Sequence, residues 1–169
     1  MPQSSFKILF SAEKISERVQ ELAAQINKDY QGQSLHVIGV LNGSFLLIAD
    51  LVRKLAPEVT LDFMAVSSYK GTEKQEQHQV TKDLKEEIQS KHVLVVEDIC
   101  DTGKTLEFIK KILTHRKPQS LKFMSLLYKP HNSAFHLDYY GFSVGEGFVV
   151  GYGLDWNEKY RNLPYIGVV

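Results

Sequence analysis

Apolar and polar positions along this chain switch repeatedly between two spacings. A short apolar run around Phe6–Phe10 reads as a strand. From Ser11 the period lengthens: Ile15, Val19, Leu22, Ala23 and Ile26 recur at helical intervals with charges between them. Ser11 suits an N-cap, and Glu13 in the first turn favours the helix dipole. Leu35–Leu41, with Val37, Ile38, Val40 and Leu41, reads as a strand. Asn42-Gly43-Ser44 is a tight turn, Phe45–Leu55 returns to helical spacing, and Pro57 ends that helix. Val59–Val66 is the next strand. Ser67–Gln79 is polar, with one Gly and many Gln, Glu and Lys residues, and cannot bury itself. It reads as a long loop, which in a compact domain is a functional lid or disordered.

The second half repeats the scheme. Val93–Val96 is an apolar strand; Leu106, Ile109, Ile112 and Leu113 mark a helix, with Pro118 just beyond it. Ser120–Tyr128 is a strand, residues 129–138 form a loop containing Pro130, and Tyr139–Val144 and Gly147–Tyr152 resemble a pair of strands. Strands alternating with helices predict an α/β fold with a mainly parallel, twisted sheet flanked by helices. Such sheets bind ligands beyond the carboxyl ends of their strands. Three turns are predicted there: 42–44, 97–105 and the loop from Lys129.

Composition narrows the picture. The 169 residues fit one domain, and a hydrophobic fraction of 43% is enough for one core. Twenty basic residues balance twenty acidic ones, which argues against non-specific nucleic-acid binding. A single cysteine, Cys100, excludes an internal disulfide framework and a thiolate-rich metal site. The expected setting is a reducing cytoplasm, with no signal peptide and no membrane span. No repeat or low-complexity segment stands out.

The chemistry concentrates in His92–Leu106, HVLVVEDICDTGKTL. An apolar strand runs into Glu97 and Asp98; Asp101 follows, and Thr102-Gly103-Lys104-Thr105 opens a helix. A P-loop needs a glycine five positions before Gly103, where Asp98 stands, and the dinucleotide fingerprint is absent too. Backbone amides from Asp101 to Thr105 at a helix N-terminus can surround a phosphate. The Thr102 and Thr105 hydroxyls add to that cradle, and Gly103 permits close approach. Glu97 and Asp98 would repel a bare polyphosphate. They suit sugar hydroxyls, or a Mg²⁺ brought by the ligand. A phosphorylated sugar with a free diol satisfies both halves. The plainer reading makes these acids surface charges and Thr-Gly a helix start.

EDICDTGKT after an apolar strand resembles the phosphoribosyl pyrophosphate (PRPP) motif of the type I phosphoribosyltransferases. Leu126-Leu127-Tyr128-Lys129-Pro130, Phe148–Asp155 (FVVGYGLD) and Tyr160–Gly167 (YRNLPYIG) narrow the resemblance to the hypoxanthine phosphoribosyltransferases, over nearly the whole chain. It implies the type I fold with a small hood from the terminal segments. It implies one domain over 1–169, with a lid at about 68–80 and a purine-binding hood at about 129–169. It also implies Mg²⁺-dependent purine salvage: a 6-oxopurine displaces pyrophosphate from PRPP, giving a nucleoside monophosphate.

Residue by residue, the resemblance makes Asp101 the proton-handling catalytic group facing N7 of the base. Glu97, Asp98, Asp101, Thr102, Gly103, Lys104 and Thr105 hold the ribose and 5′-phosphate. Asn42, Gly43, Ser68, Tyr69 and Arg161 hold pyrophosphate, with a cis peptide common in relatives at Leu41–Asn42. Some relatives carry Lys where this chain has Asn42. Lys129 donates to O6, Phe148 stacks on the purine, Val149 offers backbone groups, and Asp155 binds a second Mg²⁺; Glu97 and Asp98 face the first. The plainer readings make Asp101 a helix cap, Arg161 an ion-pair partner of Glu158, and Phe148 a core residue. Relatives are commonly homodimers or homotetramers. Cys100 is read as packing. The alternatives are a guanine- or xanthine-preferring enzyme, a regulator of the same fold that binds RNA, and a phosphate-binding module without turnover.

Overall fold

The computed structural model describes residues 6–70 and 76–169. Its elements are β1 (Lys7–Phe10), α1 (Ala12–Asp29), β2 (Ser34–Leu41), α2 (Phe45–Val52), β3 (Glu58–Lys70), β4 (Glu76–Lys82) and β5 (His92–Cys100). α3 (Lys104–His115), β6 (Ser120–Tyr128), β7 (Tyr139–Ser143), β8 (Val149–Val150) and β9 (Ile166–Val168) complete the chain. Six strands form one sheet in the order β4-β3-β2-β5-β6-β7. All its neighbours are parallel except β3 and β4. This is the predicted α/β architecture.

β5 lies inside the sheet, paired with β2 on one side and β6 on the other. Its near-continuous apolar run follows from burial on both faces. Val93 and Val95 join Leu106, Ile109 and Leu113 of α3. Leu94 and Val96 face the opposite core with Ile15, Val19, Leu22 and Ile26 of α1 and Leu47, Ile48 and Leu51 of α2. All four β5 residues are fully buried. Each contributes roughly 1.5–3 kcal/mol by leaving water. The helix starts also follow the sequence: Ser11 Oγ accepts from the Lys14 amide at the N-terminus of α1, with Glu13 in its first turn.

A second, three-stranded sheet, β1-β9-β8, brings the two termini together as a hood. Phe10 stacks on Phe142 with centroids 4.1 Å apart, which ties the hood to the strand β7. Tyr152 Oη donates to Asp50 Oδ2 at 2.7 Å, tying it also to α2.

Three expectations change. The polar stretch 67–79 is not a plain loop. β3 continues to Lys70 and β4 pairs back against it, with Ser67 opposite Gln79 and Ser68 opposite His78. Backbone pairing on a sheet edge needs no apolar side chains, so the stretch carried no strand signal; Lys and Gln there also discourage further pairing. The centre of the expected lid, 71–75, lies outside the described residues. Second, Tyr139–Val144 and Gly147–Tyr152 do not pair with each other. β7 joins β6 in parallel, while Val149-Val150 pairs with Gly167-Val168 in the hood, and the turn through Gly147 moves the chain between sheets. Third, α2 stops at Val52. Its last turn tightens into i→i−3 bonds, Lys54 N to Leu51 O and Leu55 N to Val52 O, ahead of Pro57.

No described helix is long and apolar enough to cross a membrane.

Packing between α2 and β3 leaves no room at Gly39, where a Cβ would lie 2.8 Å from the Phe63 ring and 2.9 Å from Ile48. Gly39→Ala is expected to cost about 1–3 kcal/mol through overpacking. Urea denaturation measures it, and an unchanged midpoint would contradict this account of the core.

Candidate active site

The turns after β2 and β5 meet beyond the carboxyl ends of the sheet. After β2 the Leu41–Asn42 peptide is cis. Ser44, fully buried, donates to the Val40 carbonyl at 2.5 Å and folds the turn back on its own strand. Gly43 is required there for space: a Cβ would fall 1.7 Å from Asp98 Oδ2. Gly153, in the hood loop at φ +100°, would place a Cβ 2.0 Å from the Gly43 carbonyl oxygen. The three segments therefore close on one point because two of them lack side chains.

The turn expected over 97–105 begins only after Cys100, since pairing with β6 carries β5 through the acids; at this end of the strand the Asp98 amide donates to Glu97 Oε1 at 3.1 Å and the Ile99 amide to Asp98 Oδ1 at 2.8 Å. Glu97 is 8% exposed. Burial, and then the adjacent Asp98 carboxylate, push its carboxyl well above the ordinary glutamate range. Gly103 caps α3 in the left-handed region, φ +78°, with its Cα face against Ser133 Oγ and Phe135 Cβ, 2.5 and 2.6 Å from where a Cβ would stand. The N-cap Gly103 offers no side chain to this helix, and the Lys104 amide donates to Thr102 Oγ1 at 3.5 Å; a helix start of this kind favours negative charge.

Asp101 does not cap α3. Its Oδ2 accepts from Lys129 Nζ and its Oδ1 from Asn132 Nδ2, both at 2.9 Å. Partial burial raises its carboxyl, but these two hydrogen bonds and the Lys129 charge outweigh that and hold it below the usual aspartate range. Lys129 also donates to the Gly147 carbonyl at 3.1 Å. Arg161 pairs with Asp155 at 2.7 Å and Glu158 at 3.1 Å, and donates to the Gly153 carbonyl at 2.9 Å. The ion pair anticipated with Glu158 is thus present, within a larger network.

Two cavities adjoin. A cleft of about 320 Å³ is lined by Asn42, Gly43, Glu97, Asp98, Asp101, Thr102, Gly103, Thr105, Asp155 and Arg161, among others. A second, of about 230 Å³, is lined by Lys129, Gly147, Phe148, Val149 and Leu154. Asp98, Ile99, Asp101 and Asp155 belong to both walls. Phe148 is 56% exposed, so it does not belong to the core.

Lys104 and Ser68 are exposed and stand outside both linings, and the side chain of Tyr69 lies outside the described set. Among the described residues no three His, Cys, Asp or Glu converge as metal ligands. Asp155, expected to bind a second Mg²⁺, pairs here with Arg161 and accepts from the Glu158 amide. Sequence reasoning missed Asn132, Ile99 and the Gly147 carbonyl. A turn-forming Asn just after Lys129-Pro130 was the available signal for the first; the others depend on the hood's position. Cys100 is buried, beside Ser133 Oγ at 3.5 Å, consistent with packing.

A model of the phosphoribosyl transferase domain matches residues 5–157. The chain belongs to the phosphoribosyl transferase family. A hypoxanthine-guanine phosphoribosyltransferase of Staphylococcus aureus is 44% identical over 166 residues, covering 96% of this chain and 93% of that one. The crystal structure of a Bacillus anthracis hypoxanthine-guanine phosphoribosyltransferase superposes with a TM-score of 0.92 at 46% identity, over 98% of this chain and 99% of its own. A Trypanosoma cruzi hypoxanthine phosphoribosyl transferase gives 0.90 at 38% identity, over 100% and 94%. The fold is that of the type I phosphoribosyltransferases.

The buried Glu97 has a consequence for stability. An acid whose folded pKa is raised holds its proton more tightly in the folded chain. It therefore weakens folding as pH climbs from the ordinary glutamate value, about 4.3, through the raised one. Glu97→Gln is expected to melt higher than the parent near neutral pH, with the gap closing on acidification. Melting curves across pH test this; a variant that melts lower at neutral pH would contradict it.

Proposed function

We propose that the protein transfers the 5-phosphoribosyl group of PRPP to hypoxanthine, and also to guanine, releasing pyrophosphate and giving the nucleoside monophosphates IMP and GMP. The observation that carries this reading is the shared wall. A phosphate-binding helix start lies on one side of Asp98, Ile99 and Asp101, and a pocket with an exposed aromatic and a lysine lies on the other. The names of the relatives favour the same reaction.

The 5′-phosphate binds the amides and hydroxyls of residues 101–105, where a helix N-terminus favours negative charge. Glu97 and Asp98 accept from the ribose hydroxyls. The base stacks on Phe148. Lys129 offers a cationic donor and no acceptor, so it favours a 6-oxo over a 6-amino group.

Lys129 also supplies the logic of the proton step. Without a base it neutralises Asp101. When O6 takes up the ammonium, Asp101 loses part of its counter-charge and becomes a stronger base. It then accepts the base's proton as N9 bonds to C1 of the ribose. Arg161, with the amides of Asn42 and Gly43, holds the leaving pyrophosphate. Asn42 contributes no charge of its own.

The residues suit Mg²⁺. Glu97 is a buried carboxyl whose ionised form is disfavoured by burial and by the adjoining Asp98, so a cation beside it would relieve both, and the donors are hard oxygens. One or two protein carboxylates are the usual share for this ion, the rest coming from substrate and water. Bound there, it would screen the charge on pyrophosphate as a Lewis acid. The hairpin of β3 and β4, whose Val66 lines the cleft, would help exclude water during transfer. The same reading carries a cytoplasmic setting and a homodimer or homotetramer.

An assay with PRPP, Mg²⁺ and each of hypoxanthine, guanine, xanthine and adenine tests the reaction. Hypoxanthine and guanine are expected to react fastest, and a preference for adenine would overturn the role of Lys129. Asp101→Asn is expected to lower kcat at least about 100-fold while PRPP affinity changes little. An unchanged kcat would remove Asp101 from the proton step.

A further inference from the structure

β4 lays one polar ring against the helix that frames the cleft. His78 pairs with Ser68 across the hairpin, and its side chain rests on the first turns of α3. The imidazole stacks on Phe108, with centroids 5.6 Å apart and planes 29° apart. Its Nε2 stands 3.4 Å from Thr105 Oγ1. Thr105 and Phe108 are three residues apart, so they share one helix face, and the ring spans both. Thr105 lines the cleft, whereas His78 does not. The imidazole therefore reaches the cleft through the threonine hydroxyl.

A hydroxyl has one proton and two lone pairs, and its proton turns to suit its neighbours. A threonine in a helix can spend that proton on a carbonyl one turn back. If the ring nitrogen accepted the proton, only lone pairs would face an anion in the cleft. If instead the ring donates an N–H to Oγ1, the threonine proton is free for the anion, and the two bonds polarise one another. Only the second arrangement suits an anion site. The stack on Phe108 fixes the plane of the ring and so the direction of its donor.

We propose that His78 is a positioning residue of the phosphate site: it donates Nε2–H to Thr105 Oγ1 and so directs the threonine proton into the cleft. This rests on the reading of residues 101–105 as the 5′-phosphate site. His78 acts on phosphate binding and not on the transfer step. It also makes the sheet's edge strand a part of that site, because β4 carries the donor while α3 carries the hydroxyl.

Four proteins separate the hydrogen bond from the stack: His78→Phe, which keeps a flat ring on Phe108 without a donor; His78→Gln, which restores a donor without the ring; Thr105→Val; and the double variant His78→Phe/Thr105→Val. Ribose 5-phosphate binding is measured by titration calorimetry, alongside KM for PRPP, kcat and melting temperature. His78→Phe is expected to weaken ribose 5-phosphate and raise KM for PRPP about fivefold, the order of one hydrogen bond, with kcat and melting temperature little changed. His78→Gln should recover most of that loss. In the Thr105→Val background, His78→Phe should cost nothing further. Wild-type ribose 5-phosphate affinity in His78→Phe would overturn the assignment. So would an undiminished loss in the Thr105→Val background, or a His78→Gln variant no better than His78→Phe. If ribose 5-phosphate binding follows this pattern but no base accepts the phosphoribosyl group, the proposed reaction fails and the role of His78 stands.

Discussion

The site depends on the approach of three backbones around Gly43. The turn after β2, the acidic turn after β5 and the hood loop around Gly153 come from distant parts of the chain. They meet because Asp98 occupies the space of the Cβ that Gly43 lacks, and the Gly43 carbonyl that of the Cβ absent from Gly153. A methyl at either position would demand movement of a carboxylate or of backbone. The sheet makes this meeting possible. β2 and β5 are parallel neighbours in direct register, His36 to Val93 through Gly39 to Val96, so their ends open on the same side. Hydrophobic burial fixes that register, since a one-residue slip would exchange Val93 and Val95 with Leu94 and Val96 between two different cores.

On this frame the charges are arranged in opposition. Glu97 is desolvated beside Asp98, an arrangement unfavourable to the folded chain by itself and relieved by positive charge. Asp101, one residue beyond Cys100, has the reverse environment, with Lys129 and Asn132 holding its charge in place. Neighbouring carboxylates on one turn thus differ in their readiness to take a proton. Environment rather than residue type divides their work. Arg161 is similarly occupied, so a ligand at its guanidinium exchanges one set of carboxylates for another set of anionic oxygens.

Much of this was legible in the sequence because burial writes a period. The faces of α1 and α3, the strand cores and the turn at 42–44 all carry such a signal, whereas β5 runs through Cys100, past the apolar run that marked its expected end. The acidic turn was legible for another reason: carboxylates at the end of an apolar strand have no packing explanation. β3 and β4 were not legible beyond Val66, since an exposed hairpin satisfies its backbone without apolar side chains. β9 and the hood's pairing were hidden because Ile166–Val168 is short and its partners lie at the other end of the chain. Phe148 was ambiguous for the same reason. A phenylalanine before Val-Val reads as core until the hood's geometry leaves it exposed.

The proposed division between a sheet for phosphate chemistry and a hood for base recognition has a physical consequence. Asp101 belongs to the sheet's turn, whereas Lys129 begins the loop that leads to the hood and is anchored there by the Gly147 carbonyl. Their ion pair therefore bridges the two parts. On the proposed function, a base that draws Lys129 toward O6 changes the proton affinity of Asp101 in the shared wall. On that reading recognition and activation are one event, because Lys129 would read the base and is the group that holds the Asp101 carboxylate charged. A pocket built from one element alone would bind the base without this coupling. The long chain path from β6 through residues 129–138 to β7 and back to Gly147 frames the Lys129 ammonium between the Asp101 carboxylate at 2.9 Å and the Gly147 carbonyl at 3.1 Å.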